Sequence, residues 1–273
     1  MKYVKIAVIV LFIVSLGLYG ASWLKEKQEE DPTKPKITSD REVLEVPSQY
    51  EEAQLLEGLR AEDAKDGDLT DQIVVGSFSQ FVEKGVCNVT YVVFDSSNQS
   101  ATLTRKTKFT DYQSPKFTLS EPLIFREGAS GSAITYVGAN DIIDGNISSL
   151  VRLVESDVNY RLAGEYSIQV EVTNSFGDTQ QETLPVHVVE GSNAACQINL
   201  TSPLVYIQKG ADFDPGSYVE DVEDADGNVM GTEGLTVESG VNTQEEGCYQ
   251  VHYQITNEQG LEGETWLTVI VRE

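Results

Sequence analysis

The 273-residue sequence has few of the side chains that carry enzyme chemistry, with only three cysteines and two histidines. Neither His187, in PVHVV, nor His252, in QVHYQ, has a nucleophile or a second metal ligand near it in the chain. The nucleophile-elbow pattern G-x-S-x-G is absent. We therefore predict that the protein is not an enzyme and needs no cofactor, and that both histidines are solvated residues on the polar face of strands.

Positive charge is also scarce. Nineteen Lys and Arg face 44 Asp and Glu, which gives a net charge of −25. A polyanion repels phosphate backbones, so nucleic acid is excluded as a partner. Such acidity indicates a soluble, self-repelling exterior and leaves the fold open. An apolar content of 40% with 8% aromatic residues indicates folded domains.

One long hydrophobic run stands near the N-terminus, IAVIVLFIVSLGLYGASWL at residues 6–24. A helix of this length spans about 28 Å, close to the hydrocarbon thickness of a bilayer. We expect a transmembrane signal anchor preceded by a cytoplasmic tail (1–5) and followed by a charged stalk (25–35). The bulk of the chain would then lie outside a bacterial cell membrane. A cleaved signal peptide, which would release a secreted protein, is the alternative.

The remainder of the chain is a threefold repeat. A turn sequence recurs as Asp-Gly-Asp, Asp-Gly-Asn and Asp-Gly-Asn, with its glycines at 67, 145 and 227. Downstream of each turn follow GVCNVTYVVFD, GEYSIQVEVTN and GCYQVHYQITN. Both landmarks keep a period of roughly 80 residues, the size of a small domain. The predicted domains are module 1 (36–113), module 2 (114–191) and module 3 (195–273).

The sequence pattern of each module predicts β-strands. Tyr166, Ile168, Val170 and Val172 alternate with polar residues, which is the period of a strand with one buried face. Further short apolar segments are separated by Gly, Asn, Asp and Ser clusters. We predict an all-β protein of three tandem Ig-like β-sandwiches. One short helix is expected in SQYEEAQLLEGL, capped by Ser48 and Glu51.

The two landmarks together resemble the bacterial immunoglobulin-like repeats first named from an insecticidal crystal protein. In that family an Asp ends the strand after the G-x-Y segment. Asp95 fits this pattern, whereas Asn174 and Asn257 replace the aspartate in modules 2 and 3. The resemblance implies a non-catalytic spacer, adhesion or interaction module of a bacterial surface, with an unknown protein or glycan ligand. The alternative is a carbohydrate-binding sandwich that recruits cell-wall or host glycan, for which Trp266 is the one downstream tryptophan.

The repeated Asp-Gly turns admit two interpretations. As structural turns, the glycine supplies a positive φ and the flanking side chains accept backbone hydrogen bonds. The turn-forming residues would be Asp66, Gly67, Asp68, Asp144, Gly145, Asn146, Asp226, Gly227 and Asn228. As a calcium site at the end of a sandwich, the weak candidates are Asp224, Asp226 and Asn228. An EF-hand is excluded, because its first ligand position would be Val222.

The cysteines divide into two groups. Cys87 follows the core phase of its strand and is predicted to be a buried thiol. Cys196 and Cys248 both belong to module 3 and form a candidate disulfide in an oxidising exterior.

Overall fold

The computed structural model describes residues 11–23, 32–190, 196–256, 260 and 262–273. Residues 11–23 form helix α1. The rest of the predicted membrane segment 6–24, the tail 1–5 and stalk residues 25–31 lie outside the described residues.

Among the described residues, no helix is long and apolar enough to cross a membrane. The prediction of a single-pass location in a bacterial cell membrane, with residues 6–24 as the membrane partner, is therefore wrong.

The chain forms two compact units, Met1–Asp111 and Tyr112–Glu273. The first unit contains module 1, with a 3₁₀ turn at Thr70–Gln72. Its other elements are β1 (Lys36–Ser39), β2 (Val43–Val46), α2 (Glu52–Leu55), β3 (Leu59–Asp63), β4 (Gly67–Asp68), β5 (Val74–Phe78), β6 (Val86–Phe94) and β7 (Ser100–Phe109).

Module 1 is a pair of sheets with orders β1-β3-β4 and β2-β7-β6-β5. The strands pair antiparallel except for β2, which runs parallel to β7. Strand β6 shows why the sequence alternates: Cys87, Val89, Tyr91 and Val93 are fully buried, and the residues between them are partly exposed. Period two thus places one face of β6 in the core.

Helix α2 lies where the sequence predicted a helix, but its cap differs from the expected one. Glu51 is the N-cap, and it forms a capping box with Gln54. Ser48 instead donates its N–H and its hydroxyl to Asp111 Oδ1, at 2.6 and 2.8 Å. Ser48 and Glu51 therefore do not form the predicted capping pair, because Asp111 offers Ser48 a stronger, charged acceptor.

The second unit contains modules 2 and 3. In module 2, 3₁₀ turns occur at Ala133–Tyr136 and Ser148–Leu150. The strands of module 2 are β8 (Lys116–Leu119), β9 (Ile124–Arg126), β10 (Val137–Asp141), β11 (Gly145–Asn146), β12 (Arg152–Ser156), β13 (Gly164–Thr173) and β14 (Thr179–Val189). The strands of module 3 are β15 (Gln197–Leu200), β16 (Leu204–Gln208), β17 (Val219–Glu223), β18 (Val229–Met230), β19 (Thr236–Ser239), β20 (Gly247–Thr256) and β21 (Glu262–Arg272), with a 3₁₀ turn at Pro215–Tyr218.

Modules 2 and 3 repeat the sheet plan of module 1. Module 2 has sheets β11-β10-β8 and β12-β13-β14-β9, and module 3 has β15-β17-β18 and β16-β21-β20-β19. The parallel pair recurs as β9 with β14 and as β16 with β21. The predicted all-β class is confirmed, with three sandwich-like pairs of sheets. The exact domain boundaries stay a prediction.

The hydrophobic core of module 2 does not end at that module. Phe117, Leu184 and the other core residues of module 2 form one buried cluster with Leu204 and Ile270 of module 3. Cys248 and Tyr206 of module 3 pack against the same cluster. We call this contact of β8 and β14 with β16, β20 and β21 the joint. Part of the core of module 2 is thus supplied by its neighbour.

Candidate functional site

The Asp-Gly turn of module 1 is held by side chains on both sides of it. Gly67 has φ +75°, a conformation that glycine adopts without strain. Both carboxylate oxygens of Asp66 accept from Ser96, one from its N–H at 2.8 Å and one from its hydroxyl at 2.7 Å. Asp68 Oδ1 accepts from Thr70 N at 2.9 Å. The turn therefore fastens β4 to the end of β6.

Module 2 repeats this arrangement. Gly145 has φ +70°. The two carboxylate oxygens of Asp144 accept from the N–H and hydroxyl of Ser175, each at 2.7 Å. Asn146 Oδ1 accepts from Ser148 N at 3.0 Å. The same donors in the same places support the structural interpretation of these turns.

The turn in module 3 is built around Asp224. Its Oδ1 accepts from Asp226 N and Asn228 N, each at 2.9 Å, and both its oxygens accept from Asn228 Nδ2. The Asn228 side chain lowers the pKa of Asp224. Gly227 has φ +80°. The calcium candidates therefore lie together, but N–H donors already occupy the oxygens of Asp224.

No group of three or more His, Cys, Asp and Glu side chains is placed to hold a metal within the part of the chain that the structure describes. The calcium interpretation of Asp224, Asp226 and Asn228 gains no support from this geometry.

The joint contains an aromatic stack that the sequence did not reveal. The ring of Trp266 lies 3.9 Å from the ring of His187 and 4.2 Å from the ring of His252, with interplanar angles of 7° and 8°. His187 Nε2 also lies 2.8 Å from Gln250 Oε1. His187 and Trp266 belong to different modules, so the stack fastens module 2 to module 3.

His187 is 4% exposed, so the expectation of a solvated residue was wrong. Period two placed it correctly on the outer face of its strand, but module 3 covers that face. Burial lowers the pKa of His187. His252 is partly buried and pairs with Glu264 at 3.1 Å.

Polar contacts complete the joint. Tyr206 Oη accepts from Phe117 N at 2.8 Å, which satisfies the edge of β8. Arg272 forms an ion pair with Glu182. Burial raises the pKa of Glu182, while Arg272 opposes this shift. The Tyr206 hydroxyl is needed because an edge strand that is covered must find a hydrogen-bond partner for its unpaired N–H groups.

A cleft of about 830 Å³ borders the joint, with walls from both modules. Acidic side chains outnumber the single basic one, Arg126, on its walls. They are Glu121, Glu190, Glu220, Glu262 and Glu264. This charge disfavours an anionic ligand.

Cys87 belongs to the first unit, and Cys196 and Cys248 belong to the second. Cys87 is fully buried in module 1, as predicted, and burial raises its pKa to about 11. Cys196 donates its N–H to Glu262 O, beside the Thr256 end of β20, whereas Cys248 lies eight residues away on the same strand. That is about 26 Å, and a disulfide needs Cα atoms within about 7 Å. The structure does not bring the two thiols of the candidate disulfide together.

These features define a class, the tandem Ig-like β-sandwich protein. Residues 200–271 match the family model described as the Ig-like domain of bacterial surface proteins, which confirms the resemblance found in the sequence. Pesticidal crystal protein Cry22Aa of Bacillus thuringiensis is 29% identical over 225 residues, covering 78% of this chain and 29% of that protein. An uncharacterized 81.3 kDa protein of Acholeplasma phage L2 is 29% identical over 136 residues, covering 49% of this chain and 18% of that protein. The chain spans less than a third of the length of these curated relatives.

Solved structures with similarity include CBM51-2, in complex with GlcNAc, and INT domains of Clostridium perfringens ZmpB. This match has 23% identity, covers 55% of this chain and 26% of that chain, and has a TM-score of 0.24. Mouse cadherin-23 EC22-24 matches at 14% identity over 89% of this chain and 99% of that chain, with a TM-score of 0.22.

Proposed function

We propose that the chain is a non-enzymatic spacer within a bacterial surface protein, in which modules 2 and 3 act as one stiff segment. The match of residues 200–271 to a surface Ig-like domain supports the surface role. The observation that carries the proposal is the core cluster shared across the joint.

A shared core resists bending for a physical reason. Domains of one chain move against each other unless their interface is large and hydrophobic. Separating modules 2 and 3 would expose Ile270 and Leu204, which are 0% and 7% exposed. Each fully buried aliphatic side chain contributes about 1.5–3 kcal/mol. Separating the two modules would also break the stack of His187 on Trp266. A spacer needs such stiffness because it must hold neighbouring domains of the surface protein at a fixed separation.

The glycan-binding alternative relied on an aromatic platform. Trp266 already stacks on His187 and His252, so its ring is engaged within the joint. We therefore place the spacer first and treat glycan binding as an outcome that would contradict it.

Stiffness can be measured in the full chain by pulsed electron spin resonance. Labels at exposed Arg152 and Glu238, introduced as an unnatural amino acid so that the native thiols are kept, report on modules 2 and 3. We expect one narrow distance distribution. Trp266→Ala should broaden it, because the stack across the joint is lost.

Thr104→Ala is the matched control, because Thr104 holds the place in module 1 that Trp266 holds in module 3. It should leave the distribution unchanged. A broad distribution in the unaltered chain would contradict the stiff segment. Saturable binding of a glycan on an array would contradict a role limited to spacing.

A further inference from the structure

Modules 1 and 2 differ at one buried contact beside their Asp-Gly turns. In module 2, Asn174 follows β13 and Asp141 ends β10. Asn174 Nδ2 donates to Asp141 Oδ2 at 3.1 Å, and both residues are buried. The other oxygens, Asp141 Oδ1 and Asn174 Oδ1, each accept two backbone N–H groups of their own turns. The amide of Asn174 thus supplies the positive end that the carboxylate of Asp141 needs.

In module 1 the two positions are Asp63 and Asp95. Asp63 Oδ1 accepts from Lys65 N and Asp66 N at 2.7 and 3.0 Å. Asp95 Oδ1 accepts from Ser97 N and Gln99 N at 2.8 and 2.7 Å. The turns match those of module 2, but an oxygen, Asp95 Oδ2, replaces the donating nitrogen.

Asp95 Oδ2 is buried and has no hydrogen-bond partner among the described residues. Asp95 as a whole is 6% exposed and Asp63 is 7% exposed. The hydroxyl of Thr33 donates to Asp63 Oδ2 at 3.4 Å. A buried carboxylate oxygen that accepts no hydrogen bond is strongly unfavourable.

The geometry points to a divalent cation site of the calcium type between Asp63 and Asp95. Calcium takes six to eight oxygen ligands in flexible geometry, and carboxylates are its preferred protein ligands. Asp63 Oδ2, Asp95 Oδ2 and the hydroxyl of Thr33 would supply three of these oxygens, and water the others. The cation would stand where module 2 has the amide of Asn174.

The same reasoning excludes the corresponding places in modules 2 and 3. Asp141 Oδ2 already has the amide of Asn174, and both oxygens of Asp224 accept from Asn228. The site is therefore expected once per chain, in module 1.

A cation at this place would also act on the entry to module 1. Thr33 precedes β1, and its carbonyl accepts from Gln99 Nε2 at 2.6 Å. Asp63 ends β3 and Asp95 follows β6. A shared cation would bind the entry segment to both strand ends, and so brace the first module against the chain before it.

The test is isothermal titration of the full chain, stripped of metal, with CaCl₂. We expect one calcium per chain, with a dissociation constant of about 10⁻⁴–10⁻³ M, as in extracellular modules. A tenfold excess of calcium over that constant should raise the melting temperature of module 1 by about 5–10 °C. Hydrogen exchange of peptides covering residues 59–68 and 94–100 should slow on calcium addition, and peptides of module 3 should not change.

Asp95→Asn restores the amide of module 2, so it should abolish calcium binding while leaving module 1 folded. Asp68→Asn is the matched control: Asp68 is an exposed turn residue whose counterpart in module 2 is Asn146, and calcium binding should persist. Asn174→Asp creates the carboxylate pair in module 2 and should raise the stoichiometry to two.

Several results would overturn the proposal. These are absence of calcium binding in the unaltered chain, or binding that survives Asp95→Asn. If the unaltered chain does not bind calcium and Asp95→Asn raises the stability of module 1, the proposal is also overturned, because a proton would then bridge the carboxylates.

Discussion

The hairpin β6–β7 of module 1 and the hairpin β20–β21 of module 3 have the same register, but the outer face is exposed in the first and covered in the second. The pair Val86–Lys108 in module 1 corresponds to Cys248–Ile270 in module 3. On β7 the outer face is polar and exposed, and on β21 it is largely apolar and covered. The two sets are Thr104, Lys106 and Lys108 on β7, and Trp266, Thr268 and Ile270 on β21.

This contrast shows how one fold serves two purposes. Inner-face residues such as Val269 build the core of their own sandwich, as their equivalents do in module 1. The outer face is free to vary, so its composition decides whether a module ends in water or packs on its neighbour. Module 2 depends on that choice, since Ile270 completes its core.

The largest expected effect comes from removing module 3. We expect residues 114–191 alone to lose cooperative folding, because the core of module 2 is then no longer covered by Leu204, Tyr206 and Ile270 of module 3. A loss of several kcal/mol is a large part of the stability of a domain this size. Circular dichroism melting of the fragment measures this, and residues 32–113 serve as the comparison. A sharp melt of residues 114–191 would show that module 2 closes its own core.

The next effect is a single truncation within the joint. Ile270→Ala should lower the free energy of unfolding of the second unit by about 2–4 kcal/mol, because Ile270 is fully buried. Lys108→Ala is the equivalent change in module 1. It should change the free energy of unfolding of the first unit by less than about 0.5 kcal/mol, since Lys108 and its partner Glu45 are exposed. Urea unfolding measures both. Equal effects would remove the contrast between the two faces.

Acid should weaken the second unit through His187. Burial lowers the pKa of His187 below that of an unfolded histidine, about 6.5. Its contribution is therefore complete above pH 6.5 and is lost as pH falls through the folded-state pKa. One proton gives at most about 1.4 kcal/mol per pH unit.

Unfolding measured from pH 7.5 to 5 should show this slope, and His187→Gln should reduce it. Glu165, Glu264 and His252 also act on His187 and are kept in both proteins. Module 1 contains no histidine, so it serves as the internal control. An unchanged slope in His187→Gln would assign the acid effect to other groups.

The smallest effect tests where the modules agree. Ser96→Ala and Ser175→Ala each remove a hydroxyl that donates to the Asp of an Asp-Gly turn. Because the contacts are the same and exposed, each change should cost about 0.5–1 kcal/mol in its own module. Urea unfolding of the two variants should give losses that agree within error. A loss in only one module would show that the turns are not equivalent.

The strand pattern and the turns could be read from the sequence. Alternation along β6, β13 and β20 identified the buried faces, because period two places every second residue on one side. The turn glycines at 67, 145 and 227 were identified by their recurrence. His187 was placed on the correct face, but its environment was missed, because alternation does not state what covers a face.

The contact of Asn174 with Asp141 was also beyond the sequence, and so was the lack of a hydrogen-bond partner for Asp95 Oδ2 among the described residues. The replacement of Asp95 by Asn174 was visible in the repeat, but the contact of Asn174 with the carboxylate of Asp141, which ends another strand, was not. Residues 63 and 95 are far apart in the chain, and the register of two different sheets brings their equivalents in module 2 together.

The sequence by itself determined the all-β class, the threefold repeat and the position of the glycine in each turn, because strand period and glycine conformation are properties of a few neighbouring residues. Only the tertiary structure decided that module 3 completes the core of module 2, that Trp266 stacks on two histidines, and that a buried oxygen of Asp95 has no donor among the described residues. Each of these depends on residues distant in the chain, and the free energy of a side chain depends on what surrounds it.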